Sequence, residues 1–335
     1  MSTRRTGIVR PAVGVTGALL QPTVGIFNPR PPLFPAMATN SPNARHVLTI
    51  SVAVLLASAV AFAGGSAGAR LVGMPVLAWC ALGAFALNWA AWIHAVRART
   101  ERYYDLIGSG TYLGVTAFAV VGAAVASHVT AAHAVLAALV VAWAARLGTF
   151  LFSRIRRTGG DGRFDAIIPV PLAFLATWTL QALWVVMTAG AALAAIAGGT
   201  ERTVDAALIV GGAIWVIGFA LEVVADAQKS AFRNDPAHAG RFIVTGVWAW
   251  SRHPNYFGEI VLWIGVAVAA APSLSGAQFA TLVSPAFVAL LLTKVSGVPL
   301  LERRADRRWG DDPSYREYRD ATPVLVPRRP RRNRR

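Results

Sequence analysis

MPVLAWCALGAFALNWAAWIHAV, residues 74–96, decides the fold. No Asp, Glu, Lys or Arg interrupts it, and Arg97, Arg99 and Arg102 follow directly behind. A bilayer's hydrocarbon core, about 30 Å thick, is crossed by roughly 20 apolar residues in a helix. The run is therefore read as a membrane-spanning helix whose basic end stops at the headgroups. The same ruler, laid outward from here, finds further spans. They are His46 to Ala63, Gly110 to Ala126, Thr130 to Phe152, Val204 to Val224, Tyr256 to Ala271 and Phe279 to Thr293. One more lies inside Ile167 to Ala197, where Pro169 and Pro171 mark a helix start or re-entry. The expected architecture is all-α: a polytopic integral membrane bundle of about eight helices. The runs do not alternate with period two, so barrel strands are not expected.

Composition agrees. The 335 residues are 55% hydrophobic and 14% charged, against about a quarter charged in soluble domains. The net charge of +16 does not indicate nucleic acid, because the cations recur in alternate short connections. Of the 32 Lys and Arg residues, only Arg70 and Arg202 fall in the other connections, and only Arg146 lies within a span. That asymmetry predicts both termini on the cytoplasmic side. The expected setting is a bacterial inner membrane with the functional face towards the cytoplasm. Cys80, the single cysteine, allows neither an internal disulfide nor a cysteine-based zinc site, and no metal is expected.

Residues 1–45, rich in Pro, Gly, Thr and Arg, read as a disordered extension, with Met37 as a candidate alternative start. Residues 46–327 read as one transmembrane domain, and 328–335 as a basic tail suited to anionic headgroups. No internal repeat supports a transporter of inverted halves.

Polar residues gather between Glu222 and Tyr318. Glu222, Asp226, Lys229 and Arg233 are spaced by four, three and four, which puts them on one helix face. That face either ends the helix as a ladder of ion pairs or forms a functional site, since charges in a span are costly. Ser251-Arg-His-Pro-Asn-Tyr-Phe-Gly-Glu259 then packs a cation, an imidazole, an amide, a phenol and a carboxylate around a helix entrance. Pro254 suits the first helical turn, whose free N–H groups favour an anion.

This segment resembles the C-terminal half of the steroid 5-alpha-reductase family, especially its bacterial branch with a DUF1295 domain. Its Arg-His-Pro-Asn-Tyr core is also similar to isoprenylcysteine carboxyl methyltransferases and sterol C14 reductases. The resemblance covers roughly Asn88 to Pro327. It implies a cofactor half over about 204–327, with NADPH entering from the cytoplasm. Asp226 and Arg233 match positions that contact NADPH, and Asn255, Gly258 and Glu259 match a stretch lining the same site. Glu222 stands where steroid reductases have an asparagine. Lys294 stands for a cofactor-binding arginine, Glu302 for a tyrosine or acidic position, and Tyr315 and Tyr318 for a tail that closes over the cofactor. Lys229, Arg252, His253 and Tyr256 complete the expected cofactor set.

The first half would supply the substrate site, with Asn88, His94, Tyr103, Tyr104, Asp105, Arg146 and Gln181 as candidates. Tyr104 and Asp105 are the expected proton-donor pair. Arg146 either meets a partner within the bundle or snorkels to the interface. The expected activity is NADPH-dependent reduction of a conjugated C=C bond in a lipid-like enone, steroid, isoprenoid or fatty, which places the protein in lipid metabolism. The rivals are an S-adenosylmethionine-dependent membrane methyltransferase and a non-catalytic membrane protein or transporter. Oligomeric state is left open.

Overall fold

Eight helices of the computed structural model are long and apolar enough to cross a membrane, and each overlaps one of the runs above. The structure describes residues 41–126, 129–198 and 202–329. The expectations for residues 1–40, including Met37, and for the tail beyond Arg329 lie outside these.

Helix α1 (Pro42–Gly64) opens at Ser41, whose hydroxyl accepts from Ala44 N at 3.3 Å, with Pro42 at its first position. It thus takes in the last four residues assigned to the disordered extension, because a good cap and a proline start it early. A two-residue hairpin pairs Arg70–Leu71 with Met74–Pro75 through Val72 and Gly73, both at positive φ. Next come α2 (Val76–Ala98), α3 (Tyr104–Ala126), α4 (Ala131–Thr158), α5 (Pro171–Ala197) and α6 (Ala206–Asn234). Helix α7 (Pro254–Ala270) starts at the proline read as a helix opener. Helix α3 begins six residues before the expected edge, so Tyr104 and Asp105 lie in its first turn rather than ahead of it. Asp105 there complements the positive helix N-terminus.

The eighth span is the least regular. A tight 3-10 stretch (Gly276–Val283) leads into α8 (Ser284–Leu290) and a π-helical turn (Leu291–Val295). After Ser296–Gly297 the chain continues as α9 (Val298–Trp309) and α10 (Pro313–Ala321). The expected end at Thr293 falls inside the π turn.

Helix α5 is the hub: 89% of its span is buried inside the bundle, against 22% for α1. Helices α6 and α7 form the closest pair. Gly211 and Gly218 of α6 face Gly265 and Gly258 of α7, and a Cβ built on any of the four would lie 2.5–2.6 Å from the partner backbone. Small residues let membrane helices touch backbone to backbone. The contact holds Glu222 and Asp226 of α6 beside Asn255 and Glu259 of α7.

The two cations outside the basic end have local explanations. Arg202 is 8% exposed and forks onto Asp205 at 2.6 and 2.7 Å while capping Ala269 O at 2.6 Å. Arg70 donates to Gly73 O at 3.1 Å across its hairpin.

Candidate functional site

Three charged side chains meet inside the bundle near its basic end. Arg146 of α4 forks across one helical turn of α6: Nη1 reaches Glu222 Oε1 and Nη2 reaches Asp226 Oδ2, both at 2.6 Å. The guanidinium's planar pair of donors suits two carboxylates one turn apart. Trp143 Nε1, one turn earlier on α4, donates to Glu222 Oε2 at 3.1 Å, and Asn255 Nδ2 of α7 donates to Asp226 Oδ1 at 3.2 Å. Glu222 and Asp226 are 2% and 6% exposed. Arg146 therefore meets partners within the bundle. The α6 ladder is not internal to the helix, since its acids are neutralised from α4 and its cations are left for something else.

Deeper in the bundle, Tyr112 of α3 lies between two tryptophans. Its ring is edge-on to Trp143 at 5.0 Å and stacked on Trp263 of α7 at 6.2 Å. Tyr112 Oη bonds Thr188 Oγ1. Thr188 gives its own proton to Trp184 O at 2.7 Å, so Tyr112 is the donor. Glu259 is 9% exposed, and its carboxyl acts electrostatically on Tyr112, Glu222 and Asp226.

Towards the basic end, α6 continues with Lys229 and Arg233. Neither pairs with a carboxylate among the described residues. Lys229 Nζ sits over the Trp248 ring at 4.4 Å. Arg233 is under the like charges of Arg154 from α4 and Arg308 from α9. A helix face that is acid-clamped inside and cationic at its mouth suits a ligand with an anionic end.

The C-terminal segment caps this mouth. Glu302 of α9 bridges the motif, with Oε2 at 3.0 Å from Arg252 Nη2 and Oε1 at 2.8 Å from His253 Nε2. Residues 323–328 lie along the loop before α7. Arg252 N donates to Pro323 O, Ser251 Oγ to Leu325 O and Arg328 N to Trp250 O, at 2.9, 2.7 and 2.9 Å. Tyr318 Oη donates to Trp248 O at 2.7 Å. Tyr315 Oη donates to Asp306 at 3.3 Å, and Phe242 packs against both tyrosines. Burial pushes the Tyr318 phenol up, and burial with Glu302 and Asp306 pushes Tyr315 to about 12. Both therefore stay neutral donors.

His253 is 4% exposed and stacks on Tyr256 at 5.6 Å. Burial holds its imidazole below the usual range, outweighing the pull of Glu302. Its Nδ1 is buried without a partner, so a second proton there would be an unmatched donor. The unfolded chain, titrating near pH ~6.5, binds that proton more readily than the folded one. Stability is therefore expected to hold above about pH 6.5 and to fall as pH drops through the folded pKa. Thermal unfolding between pH 8 and pH 5 checks this, with His253→Gln expected to flatten the acid limb.

The structure brings together Arg146, Asp226, Asn255 and Glu259, and beside them Lys229, Arg233, Arg252, His253, Tyr256 and Glu302. It does not bring Tyr104 and Asp105 to Arg146. Tyr104 Oη donates to Thr177 O at 3.1 Å and its ring packs on Phe164 and Trp178. Asp105 lies 3.7 Å from Arg154. Asn88 and Gln181 bond each other at 2.9 Å, and Asn88 bonds Thr111 at 3.1 Å, tying α2, α3 and α5. His94 and Tyr103 line a separate apolar cavity of about 200 Å³. Lys294 is exposed on the π turn. Sequence reasoning missed Tyr112, Trp143 and Trp263. Their one signal was an aromatic with a polar atom inside an apolar run, which is also what an interfacial or core aromatic looks like.

A family model described as a protein of unknown function, DUF1295, matches residues 91–322. No curated protein and no solved structure matches the chain.

Proposed function

The chain belongs to the DUF1295 family, and on that premise we propose that it is a membrane-embedded, NADPH-dependent reductase of a C=C bond conjugated to a carbonyl in a lipid-like substrate. One observation carries the reading. Helix α6 runs from a buried acid–arginine clamp, tied through Trp143 to Tyr112, to a mouth where Lys229 and Arg233 pair with no carboxylate among the described residues, so one face carries buried polar groups and an anion anchor.

The residues present fit a phosphate-bearing dinucleotide. Lys229 and Arg233 supply positive charge, and Asn255 and Asp226 supply a donor and acceptors where α7 begins. Buried Arg252 Nε and His253 Nδ1 lack partners beneath the C-terminal cap. When bound, NADPH supplies a hydride. The chain's own part is to hold the substrate carbonyl and deliver a proton. Tyr112 Oη is the proton donor, kept dry by Trp143 and Trp263, where a hydrogen bond to developing oxyanion charge is strongest. Glu222, Asp226 and Arg146 fix the helices around it, and Glu259, whose carboxyl acts electrostatically on Tyr112, is the acid assigned to restore its proton. The substrate enters from the bilayer, and the basic end faces the cytoplasm.

Thermal unfolding of the full chain in detergent tests the reading. NADPH at 100 times its Kd should add about 2.7 kcal/mol, and Asn255→Ala should lose much of that gain. Stabilisation by S-adenosylmethionine alone would replace the reductase with a methyltransferase. On an enone found by screening, Tyr112→Phe should keep NADPH binding and lose turnover by about 100-fold or more. Unchanged turnover would remove Tyr112 from the chemistry.

A further inference from the structure

At the end of the bundle opposite the basic mouth, an apolar groove of about 420 Å³ runs between α2 and α3. Small-molecule sites span about 300–1,000 Å³, so the groove has room for a ligand. It opens towards the bilayer, where Leu82, Leu87 and Phe118 are exposed. Gly83 of α2 and Gly114 of α3 also line it, and a Cβ built on either meets nothing within 4 Å. A larger side chain at either position would take up this space.

No charged residue lines the groove, and its polar side chains are committed. Cys80 Sγ donates to Val115 O at 3.4 Å. Thr111 Oγ1 donates to Ile107 O at 2.7 Å and accepts from Asn88 Nδ2 at 3.1 Å. Trp79 Nε1 donates to Leu71 O at 2.9 Å. The side chains therefore suit a hydrocarbon chain. From Trp79 to Leu87 the groove follows α2, a rise of about 12 Å. That is most of one leaflet's half of a core about 30 Å thick.

The Trp79–Leu71 bond joins the groove to the hairpin, because Leu71 belongs to the strand Arg70–Leu71. Arg70 is exposed, and its one hydrogen bond among the described residues goes to Gly73 O at 3.1 Å. No carboxylate pairs with it among the described residues, and residues 64–75 contain no Asp or Glu. Arg202, the other cation at this end, is already neutralised by Asp205 at 2.6 Å. Val72 at the hairpin tip is 96% exposed. An apolar tip beside a tryptophan and an arginine suits the depth of lipid headgroups, where tryptophan is enriched.

We propose that the groove holds one acyl chain of an anionic phospholipid from the leaflet at the hairpin end, with the lipid's phosphate on Arg70. The guanidinium N–H groups not used on Gly73 match phosphate oxygens. A zwitterionic lipid would bring an ammonium group to a hairpin that carries no acid. Charge balance therefore selects an anionic headgroup, such as that of phosphatidylglycerol. The site lies at the far end of the bundle from Lys229 and Arg233 and does not depend on the reductase reading.

The test uses the full chain in phosphatidylcholine nanodiscs containing a small fraction of a photoreactive lipid, with a diazirine midway along one acyl chain. The probe is phosphatidylglycerol in one set and phosphatidylcholine with the same chains in the other. Adducts formed on irradiation are mapped by peptide mass spectrometry. The variants are Arg70→Gln, Arg70→Lys, and Gly83→Leu combined with Gly114→Leu to fill the groove. Arg70 is exposed, so its replacement leaves the core intact.

The phosphatidylglycerol probe should label residues 79–87 and 111–118 about fivefold or more above the phosphatidylcholine probe. Arg70→Gln should lower that labelling to the phosphatidylcholine level, and Arg70→Lys should keep part of the excess. The filled variant should lose adducts from both stretches. Should it fail to fold, unlabelled phosphatidylglycerol added to wild type gives the same decision: it should displace the probe, and undiminished labelling would overturn the site. Equal labelling by the two probes, or an excess that survives Arg70→Gln, would also overturn it. Adducts spread evenly over the lipid-facing stretches of α1 and α6 would show the groove to be ordinary bilayer contact, which ends the proposal.

Discussion

Arg146→Met should remove most of the folded protein from detergent extracts. The substitution keeps an unbranched apolar stem but leaves Glu222 and Asp226 facing each other across one turn of α6 with no cation between them. Breaking a buried ion pair by deleting one partner costs about 3–5 kcal/mol, a large share of a domain's total stability. Here a single guanidinium serves two carboxylates, each at 2.6 Å, so the upper part of that range applies. Arg146→Lys should recover only part of the loss, because an ammonium cannot fork onto two acids. Adding Glu222→Gln and Asp226→Asn to Arg146→Met should restore folding, since neutral amides can still accept from Trp143 Nε1 and Asn255 Nδ2. Thermal unfolding of the single and triple variants reads this directly. A single variant as stable as wild type would mean that Arg146 is not the counter-charge. A triple variant no better than the single would mean that Arg146 acts through packing on Phe150, 5.1 Å from its guanidinium, rather than through charge.

The membrane bundle was legible because hydrocarbon thickness imposes a length on each apolar run. That constraint is one-dimensional and survives in a linear sequence. Pro254 could be placed at a helix start because proline fits there for a local reason. The edges of α3 and α8 were less legible. Helix α3 begins in a polar stretch that hydropathy discounts, and a π turn carries no residue signature. The site was legible as a list but not as a set of pairings. The spacing of Glu222, Asp226, Lys229 and Arg233 suggested internal ion pairs, whereas tertiary packing delivered Arg146 from α4 and left Lys229 and Arg233 with no carboxylate partner among the described residues. Tyr104 and Asp105 drew notice because they adjoin charges at the end of a span. Tyr112 lies further along the same helix, where an apolar run hides a phenol. What sets it beside Trp143 and Trp263 is the crossing of α3, α4 and α7, and no local pattern encodes that crossing.

Gly218→Ala should be far more damaging than Gly212→Ala, although both add one methyl group to the same helix. A Cβ at Gly218 would lie 2.5 Å from Leu262 N and 2.6 Å from Gly258 O, whereas one at Gly212 meets nothing within 4 Å. The atoms in the way at Gly218 are backbone atoms of α7, so no side-chain rotation relieves the clash. The helices must separate, and overpacking of this kind costs about 1–3 kcal/mol or more. At Gly212 the added methyl has open space around it, and replacing a mid-helix glycine by alanine should gain about 0.5–1 kcal/mol. The contrast reaches the site because the Gly258 contact lies against Glu222 N and Cα, at 2.8 and 3.2 Å from its built Cβ. Separating α6 from α7 pulls Asp226 from Asn255 and Glu222 from the face that carries Glu259. Gly218→Ala should therefore weaken cofactor stabilisation more than its loss of thermal stability alone requires, while Gly212→Ala leaves it unchanged. Equal thermal midpoints and equal ligand responses in the two variants would show that α6 and α7 do not depend on this contact. The site would then have to be held by the Arg146 clamp and the C-terminal cap alone.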